Sequence, residues 1–311
     1  MSTPQTVKTR VLIISDTHSA PLATTSSSQP FRHPLPSADV LIHCGDLTMI
    51  GLPSEYHKTL DMLAAIDAPV KLIIAGNHDR TLDKTWMKNH EKMLQGKKWE
   101  DMYEEAREIW FGEQGRAKRE GVRMLEEGVH EIELKNGAVL KLYTSPYQPE
   151  FYDWAFPYER YEDRYNPASE TLSDATNIAV NPIPSVSDQQ LDIIWCPHLL
   201  KAMTRAKPLV HCFGHIHEGW GAETVTWDDV SVTEKETMEQ FKGQGWKKHV
   251  KNVERAKVAE KEVKKQKAVF LDGTGIRKGE QTIMINAAIM DVGYSPVNAP
   301  FVVDLDLPIK K

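Results

Sequence analysis

At 311 residues, 41% of them hydrophobic and 26% charged, the chain has material for a large folded core. Its formal net charge of −6 argues against a binder of long nucleic acid, which needs a dominant basic surface to displace counterions from phosphate. Cys44, Cys196 and Cys212 cannot all pair and follow no zinc spacing, no apolar run reaches the length of a membrane span, and the N-terminus lacks the hydrophobic region of a signal peptide, so the expectation is a soluble, intracellular, cytoplasmic protein with no membrane partner.

In chain order, residues 11–15 read as a short apolar strand that delivers Asp16-Thr17-His18. Asp16 and His18, two positions apart at the end of an extended segment, are expected to point the same way. Residues 19–37, rich in Ser, Thr and Pro, read as an exposed loop. A second buried strand over 38–44 ends in Gly45-Asp46, and Ser54-Glu55 with Leu60, Leu63 and Ala64 predicts a crossover helix. The apolar run from Val70 then stops at Gly76 and presents Asn77, His78 and Asp79, the pattern of a strand buried on both faces whose end opens onto a ligand crevice.

Between 85 and 127, Trp99, Met102, Tyr103, Ala106, Ile109 and Trp110 recur at helical spacing and predict a surface helix facing the core. Alternating segments at 131–134 and 138–143 flank Asn136-Gly137, a hairpin signal that predicts antiparallel pairing in a second sheet. The aromatic-rich stretch 148–165 is expected to be packed, with rimming of a pocket as the alternative. Pro197 opens another predicted helix. It feeds a strand over 209–213, which ends in Gly214-His215-Ile216-His217. Residues 228–267, dense in Lys and Glu, read as a charged helical insertion in an otherwise single domain spanning 1–311. Strands over 282–287 and 301–305, with turns at Gly273 and Gly275, close the sheet.

Strand, glycine and ligand-type side chain thus recur, and Asp16, His18, Asp46, Asn77, His215 and His217 offer mixed oxygen and nitrogen donors. Such a mixture suits Mn²⁺, Fe²⁺ or Zn²⁺ better than Ca²⁺ or Mg²⁺ alone. Two cations held about 4 Å apart need a bridging carboxylate, for which the central Asp46 is the choice. A dinuclear site lowers the pKa of a shared water from about 15.7 towards 7 and so supplies hydroxide for attack on phosphorus. His78, one position out of phase with Asn77, is the expected acid for the leaving oxygen.

The order Asp-x-His, Gly-Asp, Gly-Asn-His-Asp, Gly-His-x-His resembles the calcineurin-like metallophosphoesterases. The contexts His43-Cys44-Gly45-Asp46, Ser145-Pro146-Tyr147-Gln148-Pro149 and Ile285-Asn286-Ala287-Ala288 resemble their metallophosphoesterase-domain-containing branch. The resemblance implies a four-layer α/β/β/α sandwich of two mixed sheets and two divalent metal ions, Mn²⁺ by preference. It places Asp16, His18 and His217 on one ion, Asn77 and His215 on the other and Asp46 between them. It also implies His78 as acid and small phosphodiesters, cyclic nucleotides among them, as substrates. One departure stands out. The family's Thr-His-Gly-Pro-Pro segment, whose histidine binds the second ion, should lie between Pro182 and Pro197, where this chain passes from Leu191-Asp192-Ile193-Ile194 into Trp195-Cys196-Pro197. His198 is a weak substitute and His211 is expected to face the sheet interior. The alternative reading is therefore a catalytically weakened relative, with an incomplete second site, that binds a nucleotide or a protein partner.

Overall fold

The computed structural model describes residues 5–94, 96–159, 161–166, 176–181, 196–228 and 249–310. Strand β1 (Thr6–Ile14) lies between β15 (Phe301–Pro308), antiparallel to it, and β2 (Val40–His43), parallel; β3 (Lys71–Ile73) and β4 (Val122–Met124) continue the parallel run, and β13 (Val269–Asp272) pairs outside β15. The second sheet runs β12 (Val250–Arg255), β11 (Gly221–Trp227), β14 (Gln281–Asn286), β10 (Val210–Phe213), β9 (Ile178–Val180), β6 (Val139–Thr144) and β5 (Gly128–Glu133). Both sheets are mixed: β14, β10, β9 and β6 are parallel, and the hairpin at Gly137, with φ of 86°, adds β5 antiparallel. A short pair, β7 (Gln148–Pro149) with β8 (Pro157–Tyr158), stands apart.

Alternation along the strands sets the layers. Val11, Ile13, Val40, Ile42 and Leu72 face Leu140, Leu142, Val180, Val210 and Ile285 between the sheets. The other face of β1–β4 packs Leu12, Ile14, Leu41 and Ile73 on helices α1 (Pro53–Ala64) and α3 (Trp99–Phe111), through Leu60, Leu63 and Trp110. On the outside of the second sheet, Ala179, Phe213 and Met284 meet Leu199, Leu200 and Met203 of α5 (Pro197–Ala206). The result is the α/β/β/α sandwich. Helix starts follow local chemistry: Pro53 occupies the first turn of α1 and Glu55 takes the Leu52 N–H at 2.8 Å, while α5 opens on Pro197 and ends where Lys207 turns left-handed at φ 40°. Helix α2 (Lys84–Asn89) is capped by the Asp83 side chain, α4 (Arg116–Arg119) is a single turn, and α6 (Glu260–Gln266) follows β12.

Three expectations are corrected. Residues 19–37 are irregular but not an exposed loop, because Leu22, Phe31 and Leu35 are buried against the helix-covered face. Within the stretch expected to be helical at 228–267, Val250–Arg255 is a strand, pairing antiparallel with β11; residues 229–248 lie outside the described residues. Strands β14 and β15 do not close one sheet: each belongs to a different one. Among the described residues no helix is long and apolar enough to cross a membrane.

Candidate metal centre

The turns after β1, β2, β3 and β10 converge at one end of the sandwich. Asp16 N–H donates to the Gly45 carbonyl at 3.0 Å and His18 N–H to the Asp46 carbonyl at 3.1 Å, so the first two turns are laced together. Asp16, His18, Asp46 and His215 all have left-handed backbone, with φ of 50°, 44°, 53° and 63°. The sequence expectation that Asp16 and His18 converge by strand alternation is therefore replaced: a left-handed turn brings them together. Such a conformation costs roughly 1–2 kcal/mol per non-glycine residue and is characteristic of functional sites.

Asp79 is the strut between the second and third turns. Its carboxylate accepts from Leu47 N–H at 3.1 Å, Thr48 N–H at 3.0 Å, Thr48 Oγ1 at 2.7 Å and Gly76 N–H at 2.8 Å. Two glycines let the ligands approach: a methyl on Gly76 would overlap the Asp46 backbone and carboxylate, and one on Gly214 would overlap the Asp16 carboxylate.

Ligand-type atoms of Asp16, His18 and His217 lie within 4.8 Å of one another, as do those of His18, Asp46 and His78. Asp16 accepts from His215 N–H at 2.9 and 3.0 Å and lies 3.3 Å from His217 Nε2. Three imidazoles are oriented alike: Nδ1–H donates to a backbone carbonyl, of Thr48 for His18 (2.8 Å), of Asp291 for His217 (2.8 Å) and of Met49 for His78 (2.7 Å). For His18 that arrangement selects the tautomer whose Nε2 lone pair faces the centre, whereas His217 Nε2 faces the Asp16 carboxylate as a donor and any second proton on His78 sits on Nε2. Among the described residues the buried His18 Nε2 has no hydrogen-bond partner. His215 Nδ1 and Asn77 Oδ1 face each other at 2.8 Å, and His78 N–H donates to Asp46 Oδ1 at 2.9 Å.

Charge makes the same point. Burial raises Asp46 well above the usual carboxylate range, and the charges of Asp16 and Asp79 push the same way. Burial opposes ionisation of Asp16 too, but the His217 hydrogen bond and the His217 and His18 charges outweigh it and bring the carboxyl down to about 2. Burial lowers both His18 and His215 to about 4, so near pH 7 these rings are neutral and the positive partner of Asp16 there is His217, which its Asp16 hydrogen bond raises against burial. Buried carboxylates, neutral imidazoles aimed inward and an orphaned Nε2 fit divalent cations.

All six predicted ligands and His78 are thus gathered at one end of the fold. His198 is not: its Nδ1 lies 3.3 Å from Asp163 Oδ2 and its carbonyl accepts from Asn166. His211 is buried in β10 with its ring 5.0 Å from Phe213. Residues 182–195, which include Leu191–Ile194 and the position of the expected Thr-His-Gly-Pro-Pro segment, lie outside the described residues. Sequence reasoning missed Tyr294, whose ring centroid stands 4.9 Å from His18 and 5.3 Å from His217; nothing in its turn marks it. It also left Trp154 unassigned within the aromatic stretch, yet its ring lies 4.3 Å from His78.

A sandwich of two mixed sheets with Asp, His and Asn donors on its strand ends defines a metallophosphoesterase. The chain belongs to the calcineurin-like phosphoesterase family, whose profile matches residues 9–219. It is 27% identical over 314 residues to metallophosphoesterase domain-containing protein 1 of Homo sapiens, covering 96% of this chain and 72% of that one, and the Mus musculus protein matches equally. A protein of Emericella nidulans named probable rhamnogalacturonate lyase C is 30% identical over 221 residues, 70% of this chain but 18% of that protein. Among solved structures, a purple acid phosphatase from yellow lupin seeds aligns with a TM-score of 0.37 and 11% identity, over 97% of this chain and 55% of that one.

Proposed function

We propose that the protein is an intracellular, cytoplasmic phosphodiesterase acting on small phosphodiesters, cyclic nucleotides among them, with two divalent ions, Mn²⁺ by preference over Fe²⁺ or Zn²⁺. The observation that carries this reading is His78: its Nδ1–H donates to the Met49 carbonyl, and its ring stands against Trp154 beside the Asp46 and His18 donors. Asp16, His18 and His217 would hold one ion, Asn77 and His215 the other, and Asp46 both. Ions held there would supply an acidified water and positive charge for the phosphoryl oxygens. As the imidazolium, a form that burial disfavours, His78 would present Nε2–H and deliver that proton to the oxygen that leaves, an effect of about 10²–10⁴-fold. The net charge of −6 supports small esters rather than long nucleic acid as substrates.

The test is hydrolysis of bis(p-nitrophenyl) phosphate by protein stripped of metal and reconstituted with Mn²⁺, beside Asp46→Asn. Activity abolished by the substitution supports the proposal; absence of any Asp46-dependent hydrolysis refutes it. A second reading, a weakened enzyme that binds a nucleotide or a protein partner, is favoured by one observation: the sequence from 182 to 197 holds no histidine, so the Thr-His-Gly-Pro-Pro segment that the resemblance implies there is missing. On that reading, inserting a Thr-His-Gly-Pro-Pro segment before Pro197 raises activity sharply, and no gain counts against it.

A further inference from the structure

Two residues past His78, with Trp154 touching both side chains, stands an arginine whose side chain makes no hydrogen bond or ion pair with the described residues. The guanidinium carbon of Arg80 lies 4.6 Å from the Trp154 ring centroid and 5.4 Å from that of Trp86. The stack continues at both ends. His90 lies flat on Trp86, centroids 4.1 Å apart and planes 14° apart, and Trp154 in turn meets His78. Two tethers hold the loop that carries Trp154: Phe156 N–H donates to Asp83 Oδ2 at 2.6 Å, and Trp86 Nε1–H donates to the Asp153 carbonyl at 2.8 Å. Arg80 is therefore fixed in position by aromatic faces.

One of its donors is left without an acceptor there. Among the described residues the Arg80 guanidinium makes no hydrogen bond or ion pair, and its Nε is buried without an acceptor. Glu55, which attracts it, is already engaged, because its oxygens accept from Met49, Ile50 and Leu52 N–H at 3.2, 3.2 and 2.8 Å. Stacking restrains an arginine while leaving its planar fork of N–H donors free, and that fork matches the oxygens of phosphate.

We propose that Arg80 is a substrate-binding residue. Its guanidinium donates to an anionic phosphoryl oxygen of the ester and turns the leaving group towards His78. This rests on the phosphoesterase reading of the centre. The experiment has a binding arm and a kinetic arm. Calorimetric titration of the Mn²⁺-loaded protein with inorganic phosphate is expected to show affinity about 10- to 100-fold weaker in Arg80→Met, with manganese content unchanged. Arg80→Lys, which keeps the charge but not the fork, is expected to fall between the two, and it carries the test should Arg80→Met fail to fold. With bis(p-nitrophenyl) phosphate the loss should appear in KM more than in kcat, which displacement of His78 alone would not produce. Phosphate affinity within twofold of wild type in the folded variants overturns the proposal, as does a wild-type protein that binds no phosphate. Arg80-dependent phosphate binding without hydrolysis of the diester would sink the phosphodiesterase reading and leave the anion site standing. Hydrolysis indifferent to Arg80 would do the reverse.

Discussion

Gly214→Ala should disable the metal centre while leaving the protein folded. Gly214 follows β10 without left-handed backbone, so alanine meets no conformational penalty there and the effect is one of space. The new methyl would overlap Asp16 Oδ2 and Ser15 Oγ and stand 2.7 Å from Ser15 Cβ. Carbon atoms rest about 3.5–4.0 Å apart, so Ser15 and the Asp16 carboxylate must retreat by roughly 1 Å. That movement breaks the paired hydrogen bonds at 2.9 and 3.0 Å through which His215 N–H aims the carboxylate. Overpacking on this scale costs about 1–3 kcal/mol, less than the stability of most domains. A group misplaced by about 1 Å, however, costs on the order of 10²-fold in rate. The assay is bound manganese after dialysis, diester hydrolysis and a urea midpoint, with Gly275→Ala as control because a methyl there meets nothing within 4 Å. Wild-type manganese content and a rate within twofold in Gly214→Ala would refute the claim that Asp16 is held in a ligand position by the Gly214 turn.

Other consequences can be checked directly. Asp79→Ala should destabilise the fold by about 3–5 kcal/mol, because it strands buried N–H groups of Leu47, Thr48 and Gly76; a urea midpoint shift under about 1 kcal/mol would count against the strut. His78→Ala should keep its metal and lose about 10²–10⁴-fold on esters with alkoxide leaving groups, and far less on p-nitrophenyl esters, which need no protonation; equal losses on both would argue against the acid role. In metal-free protein the buried histidines should weaken the fold as pH falls. Burial lowers His43 and His211 to about 3, so between about pH 6.5 and 3 the unfolded chain binds protons that the native chain refuses. Each ring then costs about 2 kcal/mol at pH 5, while Asp46 and Asp79, both raised by burial, act in the opposite sense, so the test is differential: His211→Gln should lose less melting temperature between pH 7 and 5 than wild type, and an equal loss would contradict this.

Strand ends were legible because their apolar runs stop at glycine and then change to ligand chemistry: Gly45-Asp46, Gly76-Asn77-His78 and Gly214-His215 mark their own boundaries. The helices α1, α3 and α5 were legible from periodicity, from Ser54-Glu55 and from Pro197. Residues 19–37 were misread because their buried Leu22, Phe31 and Leu35 are spaced irregularly, and only the surface they pack on gives them an inside. Strand β12 was hidden because its charged residues read as a solvated helix, whereas pairing with β11 supplies the backbone partners.

Local order along the chain therefore determined which residues are candidate ligands and in what sequence they come, because strand periodicity and glycine are properties of adjacent residues. Tertiary structure alone decided how they meet. Left-handed turns at Asp16, His18 and Asp46, rather than alternation, aim the donors. The strut of Asp79, the stack of Trp86, Arg80, Trp154 and His78, and Tyr294 over the histidines all join segments distant in the chain. Their contacts depend on how two sheets pack, which no local pattern encodes.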